Sequence, residues 1–241
     1  MYEGGDTEIT VKVTWIAELK VLRVPDNVSH GSTLAGPEIC VVDVTCSEEH
    51  EKHLHGCLAA FTKGRRYRKR AEYLAEALDR GFRKHVLFVD GEDIGVIEYA
   101  PPEASPYPVD GEDIIVMSCI WVKSRMRGRG FGRMLLDTML EDSRGAAGFA
   151  SIALVDHPSP WLRLNHIERL GFTSIDSRRM KHKVKKPENC FEVHLVWMPV
   201  SMDAPEPVMN WREMLKGVDY CIGHPLYRAE SWGLDEPQEF C

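Results

Sequence analysis

The chain has 241 residues, a formal net charge of −7 and 44% hydrophobic residues, enough for one packed domain with an extension or two small ones. The acidic balance argues against a nucleic-acid binder that relies on overall charge. There is no charged-then-apolar leader and no apolar run of about 18 residues, which argues against export and membrane spanning and makes the cytoplasm the expected location. Seven cysteines in that setting read as reduced thiols rather than a disulfide framework.

Residues 8–24 alternate loosely, with Ile9, Val11, Val13 and Trp15 on one side and then Leu19, Val21, Leu22 and Val24, and they predict one or two strands ahead of the core. A turn-rich connector covers 25–36. Residues 39–44 read as a buried strand, and Ser47, followed by Glu48 and Glu49, caps a helix running to Phe61. A basic run of Lys63, Arg65, Arg66, Arg68, Lys69 and Arg70 around Tyr67 leads into a second helix over about 68–80. Strands at 85–89 and 94–99 are joined through Asp90-Gly91, a dipeptide suited to a hairpin turn. Pro101, Pro102, Pro106 and Pro108 then make a loop.

Residues 113–122 are apolar almost without interruption, as a strand buried on both faces would be. After a glycine-rich loop, Phe131, Leu135 and Met139, with Leu136 and Leu140 beside them, form one helical stripe. A turn at 145–148 precedes a strand at 149–155, a short helix over 160–170 with Gly171 as its C-cap, and strands near 173–178 and 190–198. The tail holds Pro205, Pro207, Pro225 and Pro237 and one short helical segment near 210–215. Its Trp211, Tyr220, Leu226, Tyr227, Trp232 and Phe240 would be costly to leave exposed, so the tail is expected to be an arm packed on the core. The phrase Tyr220-Cys221-Ile222-Gly223-His224-Pro225-Leu226-Tyr227 is distinctive, but no chemistry can be assigned to it.

The most informative stretch is Ile120, Trp121, Val122, Lys123, Ser124, Arg125, Met126, Arg127, Gly128, Arg129, Gly130, Phe131, Gly132 and Arg133. A strand that empties through a basic, glycine-rich loop into a helix N-terminus points unpaired N–H groups at one spot, where the helix dipole adds positive potential. Glycines let the backbone approach a ligand closely, and the arginines between them neutralise charge, so a diphosphate fits. A Walker loop would need Lys and then Ser or Thr where Phe131-Gly132-Arg133 stands, and a dinucleotide fingerprint would need Gly-x-Gly-x-x-Gly. With both set aside, the loop closely resembles the acyl-CoA loop of the GNAT superfamily of N-acetyltransferases, Val-x-Pro-x-x-Arg-Gly-x-Gly-x-Gly, departing in Ser124 for proline.

The resemblance implies a fold and a chemistry. The fold is α/β, a central mixed twisted sheet splayed between its two central strands and flanked by helices, over residues 36–200. Residues 1–35 add an N-terminal strand extension and 201–241 a C-terminal arm. Acetyl-CoA, or coenzyme A, would be the cosubstrate. Its pantetheine would lie against Ile120, Trp121 and Val122, its diphosphate on Arg127, Gly128, Arg129, Gly130, Phe131, Gly132 and Arg133, and its thioester near Met117, Ser118 and Cys119. The reaction is direct acyl transfer to an amine on a small molecule or a protein. No membrane or nucleic-acid partner is implied, and a homodimer stays open. The basic run reads as a solvated helix start, a grip on the 3′-phosphate of the cofactor, or an attraction for an acidic partner.

The family's Tyr-Glu-Lys-Leu-Gly-Phe phrase stands here as Ile167-Glu168-Arg169-Leu170-Gly171-Phe172, so the phenol expected to protonate the leaving thiolate is missing. Candidate catalytic proton carriers are Glu98, late in a strand, His157, just past a strand, and His166, next to the missing Tyr. Cys119 reads as a small hydrophobe. His50, His53 and Cys57 share one helical face, and Cys221 and His224 form a second pair, but nothing in the sequence brings the two sets together, so no metal site is expected. The alternatives are a catalytically degenerate module that binds CoA or a protein, and a thiol- or metal-handling accessory protein.

Overall fold

The computed structural model describes residues 12–16, 19–23, 37–46, 48–57 and 68–241. In chain order the elements begin with β1 (Lys12–Ile16), β2 (Leu19–Arg23), β3 (Ile39–Asp43), α1 (Glu51–His55), α2 (Arg68–Ala77), β4 (Arg83–Val89) and β5 (Glu92–Ala100). They continue with β6 (Val109–Asp110), β7 (Ile114–Val122), α3 (Phe131–Asp142), β8 (Gly148–Val155), α4 (Leu164–Glu168), β9 (Thr173–His182) and β10 (Cys190–Pro199). The arm contributes β11 (Val208–Met209), α5 (Trp211–Met214) and β12 (Gln238–Phe240). Ten strands form one sheet in the order β1-β2-β3-β4-β5-β7-β8-β10-β9-β12, and β6 and β11 pair separately. The result is the expected α/β architecture, a large mixed sheet flanked by helices.

Local chemistry sets the ladder. The β4–β5 hairpin turns at Asp90 and Gly91, whose φ values of 49° and 75° are the left-handed pair a two-residue hairpin with the native twist requires. On α3 the predicted stripe is buried, with Phe131, Leu135, Leu136 and Met139 packed under the sheet. Behind it Tyr99 donates to Asp142 at 2.9 Å and His85 lies 3.0 Å from the same carboxylate, so this helix sits on the Tyr99 face of the sheet. Helix α2 lies on the opposite face, where Arg70 reaches Glu98.

The β7–β8 contact is the sheet's one parallel pairing among the described residues, and it is short: Ile114 faces Gly148, Ile115 faces Phe149 and Val116 faces Ala150. Gly148 is obligatory there, because a Cβ would come within 2.2 Å of the Trp197 ring. Ser151 Oγ then donates to Met117 O at 2.7 Å, and beyond that point the strands separate. The free edge of β8 takes a different partner, since Leu154 N–H donates to Leu162 O at 2.7 Å.

Several expectations need correction. The helix after residue 47 ends at His55, where Gly56 is extended; residues 58–67, which include its expected end at Phe61, lie outside the described residues, as do 1–11 and all of the connector at 25–36. The helix expected over 160–170 contracts to Leu164–Glu168, because Pro158, Pro160 and a left-handed Leu162 (φ 52°) hold the preceding residues out of helix. Phe240 is 41% exposed on the edge strand rather than covered. The reading of all cysteines as thiols is overturned by a Cys190–Cys241 disulfide, which ties the end of the arm to β10 across 51 residues of chain. Closing a loop of that length restricts the unfolded chain by up to about 4 kcal/mol. Cys241→Ser is therefore expected to lower the denaturant midpoint, and reductant should produce the same shift in the native chain and none in the variant.

Candidate functional site

The loop after β7 is built as its residues dictate. Ser124–Met126 form one 3₁₀ turn, Arg127 is extended, and Gly128 and Gly130 take left-handed φ of 77° and 80°, which delivers the chain to α3 with Gly130 as N-cap. Among the described residues, no protein acceptor receives any backbone N–H from residues 128–133; the first helix-closing bond at this end is Met134 N–H to Gly130 O at 3.1 Å. Six adjoining donors without a partner among the described residues thus lie at the positive end of a helix. A Cβ added at Gly128, Gly130 or Gly132 would meet nothing within 4 Å, so the space above them is open.

That space is a cleft of about 230 Å³. One wall is the exposed end of β7 at Ile120, Trp121 and Val122, the floor is the loop with Phe131 and Gly132, and the facing wall is Trp161, His166 and Ile167. The chain already holds two of the strand-edge carbonyls. Trp161 Nε1 donates to Ile120 O at 3.3 Å, and Arg127 Nε donates to Val122 O at 3.1 Å while its guanidinium lies 4.7 Å from the centre of the Trp121 ring.

At the base of the split the β5–β7 register slips. Glu98 faces Cys119 but Tyr99 faces Met117, so Ser118 is an extra residue on β7. Such a bulge leaves a residue out of the ladder and redirects its backbone. Here its carbonyl accepts from Tyr107 Oη at 2.9 Å and Tyr220 Oη at 3.4 Å. His224 completes the set. Its Nδ1 accepts from Leu226 N–H at 3.0 Å, which leaves the proton on Nε2, and Nε2 donates to Tyr107 Oη at 2.8 Å. The chain of bonds runs from His224 through Tyr107 to Ser118. Sequence reading singled out the Tyr220 to Tyr227 phrase without a role and passed over Tyr107, which carries no periodic signal inside a proline-rich loop.

The three proton carriers expected from the sequence fall in three places. Glu98 is buried on the α2 face, where Arg70 Nη1 and Nη2 donate to its two oxygens at 3.0 and 2.7 Å and Lys84 Nζ lies 2.9 Å away. Burial alone would raise its pKa, but the two cations outweigh it and hold the carboxyl at about 2. Glu98 is thus a fixed anion and a weak proton acceptor. Arg70 shows where one member of the basic run goes, while Arg68 and Lys69 pair with Glu72 and Glu230 at the surface. His157 lies beyond the end of β8 with its Nε2 3.0 Å from His182 Nε2; burial, then Lys185, lower its pKa to about 4. His166 does line the cleft, and burial, then Arg169, Arg163 and Arg127, lower its pKa.

The thiols are distributed as sequence could not show. Cys57, Cys119 and Cys221 line one small cavity with Glu98, Arg70 and Tyr220, so the two sets of possible ligands do approach each other there. His224 is turned away to Tyr107, and His50 and His53 pack on the Phe88 ring at 5.9 and 5.2 Å. Among the described residues no three His, Cys, Asp or Glu side chains are grouped to hold a metal ion. Burial, then Glu98 and Cys57, push the Cys119 thiol well above its ordinary pKa, which suits a packing role.

Comparison with known proteins decides the family. The sequence profile of the acetyltransferase (GNAT) family matches residues 47–172, just over half of the chain, and takes in β7, the loop, α3, β8 and α4. The chain belongs to the GNAT family. A curated relative, the uncharacterized N-acetyltransferase YoaP of Bacillus subtilis, is 26% identical over 143 residues, 57% of this chain and 55% of that protein, so the chain spans about half of its length. Among solved structures, the ribosomal-protein-S18-alanine N-acetyltransferase of Escherichia coli aligns at a TM-score of 0.46 and 15% identity, covering 68% of this chain and 95% of that one. A GNAT acetyltransferase of Elizabethkingia anophelis, solved with acetyl-CoA bound, aligns at 0.45 and 18% identity, covering 67% and 98%. Among the described residues, no helix of this GNAT chain is long and apolar enough to cross a membrane.

Proposed function

We propose that the chain is an acetyl-CoA-dependent N-acyltransferase that passes the acyl group directly to an amine. The observation that carries this reading is the row of six N–H donors at residues 128–133 without a partner among the described residues, in a loop that lines the cleft and leaves open space at Gly128, Gly130 and Gly132. The loop and the first turn of α3 suit the diphosphate of coenzyme A, with Arg127, Arg129 and Arg133 supplying charge. The pantetheine would run along Ile120 and Val122, where its amides compete with Trp161 Nε1 and Arg127 Nε for the strand-edge carbonyls. The thioester would then reach the Ser118 bulge, whose backbone Tyr107 and Tyr220 hold in place.

Direct transfer at such a site depends on positioning, because a neutral amine held at bonding distance attacks a thioester unaided. Glu98 is too weak a base to take the proton, and His157 and His166, both lowered in pKa, are neutral at pH 7 but weakly basic. The rate is therefore expected to rise with the acceptor's own deprotonation rather than with a protein group titrating near neutrality. Ile167 in place of the family's Tyr, and a leaving thiolate of pKa about 8.5, fit slow turnover without a dedicated acid.

A second reading, a CoA-binding module without turnover, draws on the same Ile167 and on the self-satisfied carbonyls of Ile120 and Val122. Calorimetry with acetyl-CoA followed by a thiol-release assay over an amine panel separates the two. Saturable binding with thiol release supports the transferase, binding with no release over the panel supports the module, and absence of binding removes both. Tyr107→Phe, which removes the shorter of the two bonds to the Ser118 carbonyl and the link to His224, is expected to lower kcat by about tenfold with acetyl-CoA affinity unchanged.

A further inference from the structure

Cys57 and Cys221 come from distant parts of the chain to a single contact. Cys57 follows Gly56 just past α1, and that end of the helix is fixed from the core: Lys84 Nζ donates to Gly56 O at 2.6 Å and Arg70 Nη2 donates to Leu54 O at 3.2 Å. Cys221 stands in the arm. Its carbonyl accepts from His224 N–H at 3.0 Å, and the ring of its neighbour Tyr220 packs 4.9 Å from that of Tyr73 on α2. The two thiols line a cavity of about 30 Å³, and across it Cys221 Sγ–H donates to Cys57 Sγ. Such a space holds a single water and no larger ligand, but it gives two sulfurs room to close on each other.

The contact gives the two sulfurs different roles. The bond to Cys57, then burial, push the Cys221 thiol well above its ordinary range, so Cys221 keeps its proton. Cys57 is the acceptor, and a proton donated to a sulfur supports the thiolate form there, which is the nucleophile of disulfide exchange. Arg70 and Lys84 set two cations against the one carboxylate of Glu98, which leaves net positive charge close to the pair. Cys57 is also half-buried, with part of its surface open to solvent. Cys119 lines the same cavity but is only 8% exposed, so it is the least accessible of the three.

We propose that Cys57 and Cys221 are a redox-active dithiol that exchanges with low-molecular-weight disulfides and, once oxidised, fastens the arm to the end of α1. The Cys57 thiolate attacks one sulfur of the small disulfide, forming a mixed disulfide and releasing one small thiolate. Cys221 then attacks the Cys57 sulfur, and the second small thiolate leaves. Two protein thiols become one disulfide, the small disulfide becomes two thiols, and the two protons lost by the protein end on those thiols. The new bond lies next to Tyr220, whose phenol donates to the Ser118 carbonyl, and it would hold the middle of the arm as Cys190–Cys241 holds its end. The chemistry needs no acetyl-CoA, so it stands apart from the transferase reading.

The test equilibrates the full chain with mixtures of reduced and oxidised glutathione, quenches with acid, digests with trypsin without reductant and maps the peptides by mass. A cross-link between the tryptic peptides 53–63 and 217–228 is the expected product. The fold already holds the two thiols in contact, whereas the unfolded chain must close a long loop to join them. The cross-link is therefore expected to be about 100-fold or more favoured in the native chain over the same chain in urea. Cys221→Ser should trap glutathione on Cys57, while Cys57→Ser should leave Cys221 largely unmodified. The native chain supplies the main result without any variant having to fold. No cross-link while the exposed Cys46 takes up glutathione, a cross-link no more favoured than in urea, or pairing of either thiol with Cys119 overturns the proposal. Trapping on Cys221 as readily as on Cys57 overturns the assigned order of attack.

Discussion

Replacing Gly132 with aspartate is expected to leave the chain folded and to weaken acetyl-CoA binding by about 100-fold or more, roughly 3 kcal/mol. Gly132 has an ordinary helical backbone in the first turn of α3, and a Cβ there meets nothing within 4 Å, so the substitution introduces no clash. A carboxylate near a helix N-terminus is itself stabilising by a few tenths of a kcal/mol. The same side chain, however, would stand in the cleft, occupy the unpartnered N–H groups expected to hold the diphosphate, and repel what remains of its charge. Unchanged thermal denaturation together with lost calorimetric binding is the expected pair of results. Full binding by the aspartate variant would show that the diphosphate lies elsewhere.

The Glu98→Gln chain is expected to lose about 3–5 kcal/mol of stability, because the substitution keeps the volume but leaves Arg70 and Lys84 buried without their counter-charge. The pH dependence follows from the same cluster. The folded-state pKa of Glu98 lies at about 2, below the ordinary 4.5, so its contribution is fully present above pH 4.5 and disappears as pH falls toward 2. The difference is worth roughly 3 kcal/mol in the native chain. Urea midpoints measured from pH 7 down to pH 2 should therefore converge for the native and Glu98→Gln chains at the acid end. Parallel curves across the whole range would mean that Glu98 is not an ionised partner of the two cations. Since this carboxylate serves the packing of α2 against the sheet, the variant is also expected to lose activity in proportion to folded protein, and not further, once assayed well below its melting temperature.

How much was legible in the sequence can be traced residue by residue. The strand into β7, the alternating glycines and arginines, and the apolar stripe of Phe131, Leu135 and Met139 are local patterns, and the structure places them in adjoining elements as strand, loop and helix. The Asp90-Gly91 turn was legible for the same reason, because the φ values a hairpin needs belong to two neighbouring residues. Glu98 was not. Its position late in β5 was clear, but its chemistry depends on Arg70, 28 residues away, and on Lys84 across the hairpin. Reading the basic run as a surface feature missed that one of its arginines turns inward.

The sequence by itself determined the family, the glycine-rich loop and the helix behind it, since each rests on spacings of a few residues along one chain. Only the tertiary structure decided that Tyr107, Tyr220 and His224 converge on the Ser118 carbonyl, that Cys190 pairs with Cys241, and that His157 faces His182 in a separate cavity. The physical reason is common to all three. Hydrogen bonds, disulfides and charge pairs form between atoms a few ångströms apart in space, and for residues such as Tyr107 and His224, 117 positions apart in the chain, that proximity is set by how sheet and arm pack together.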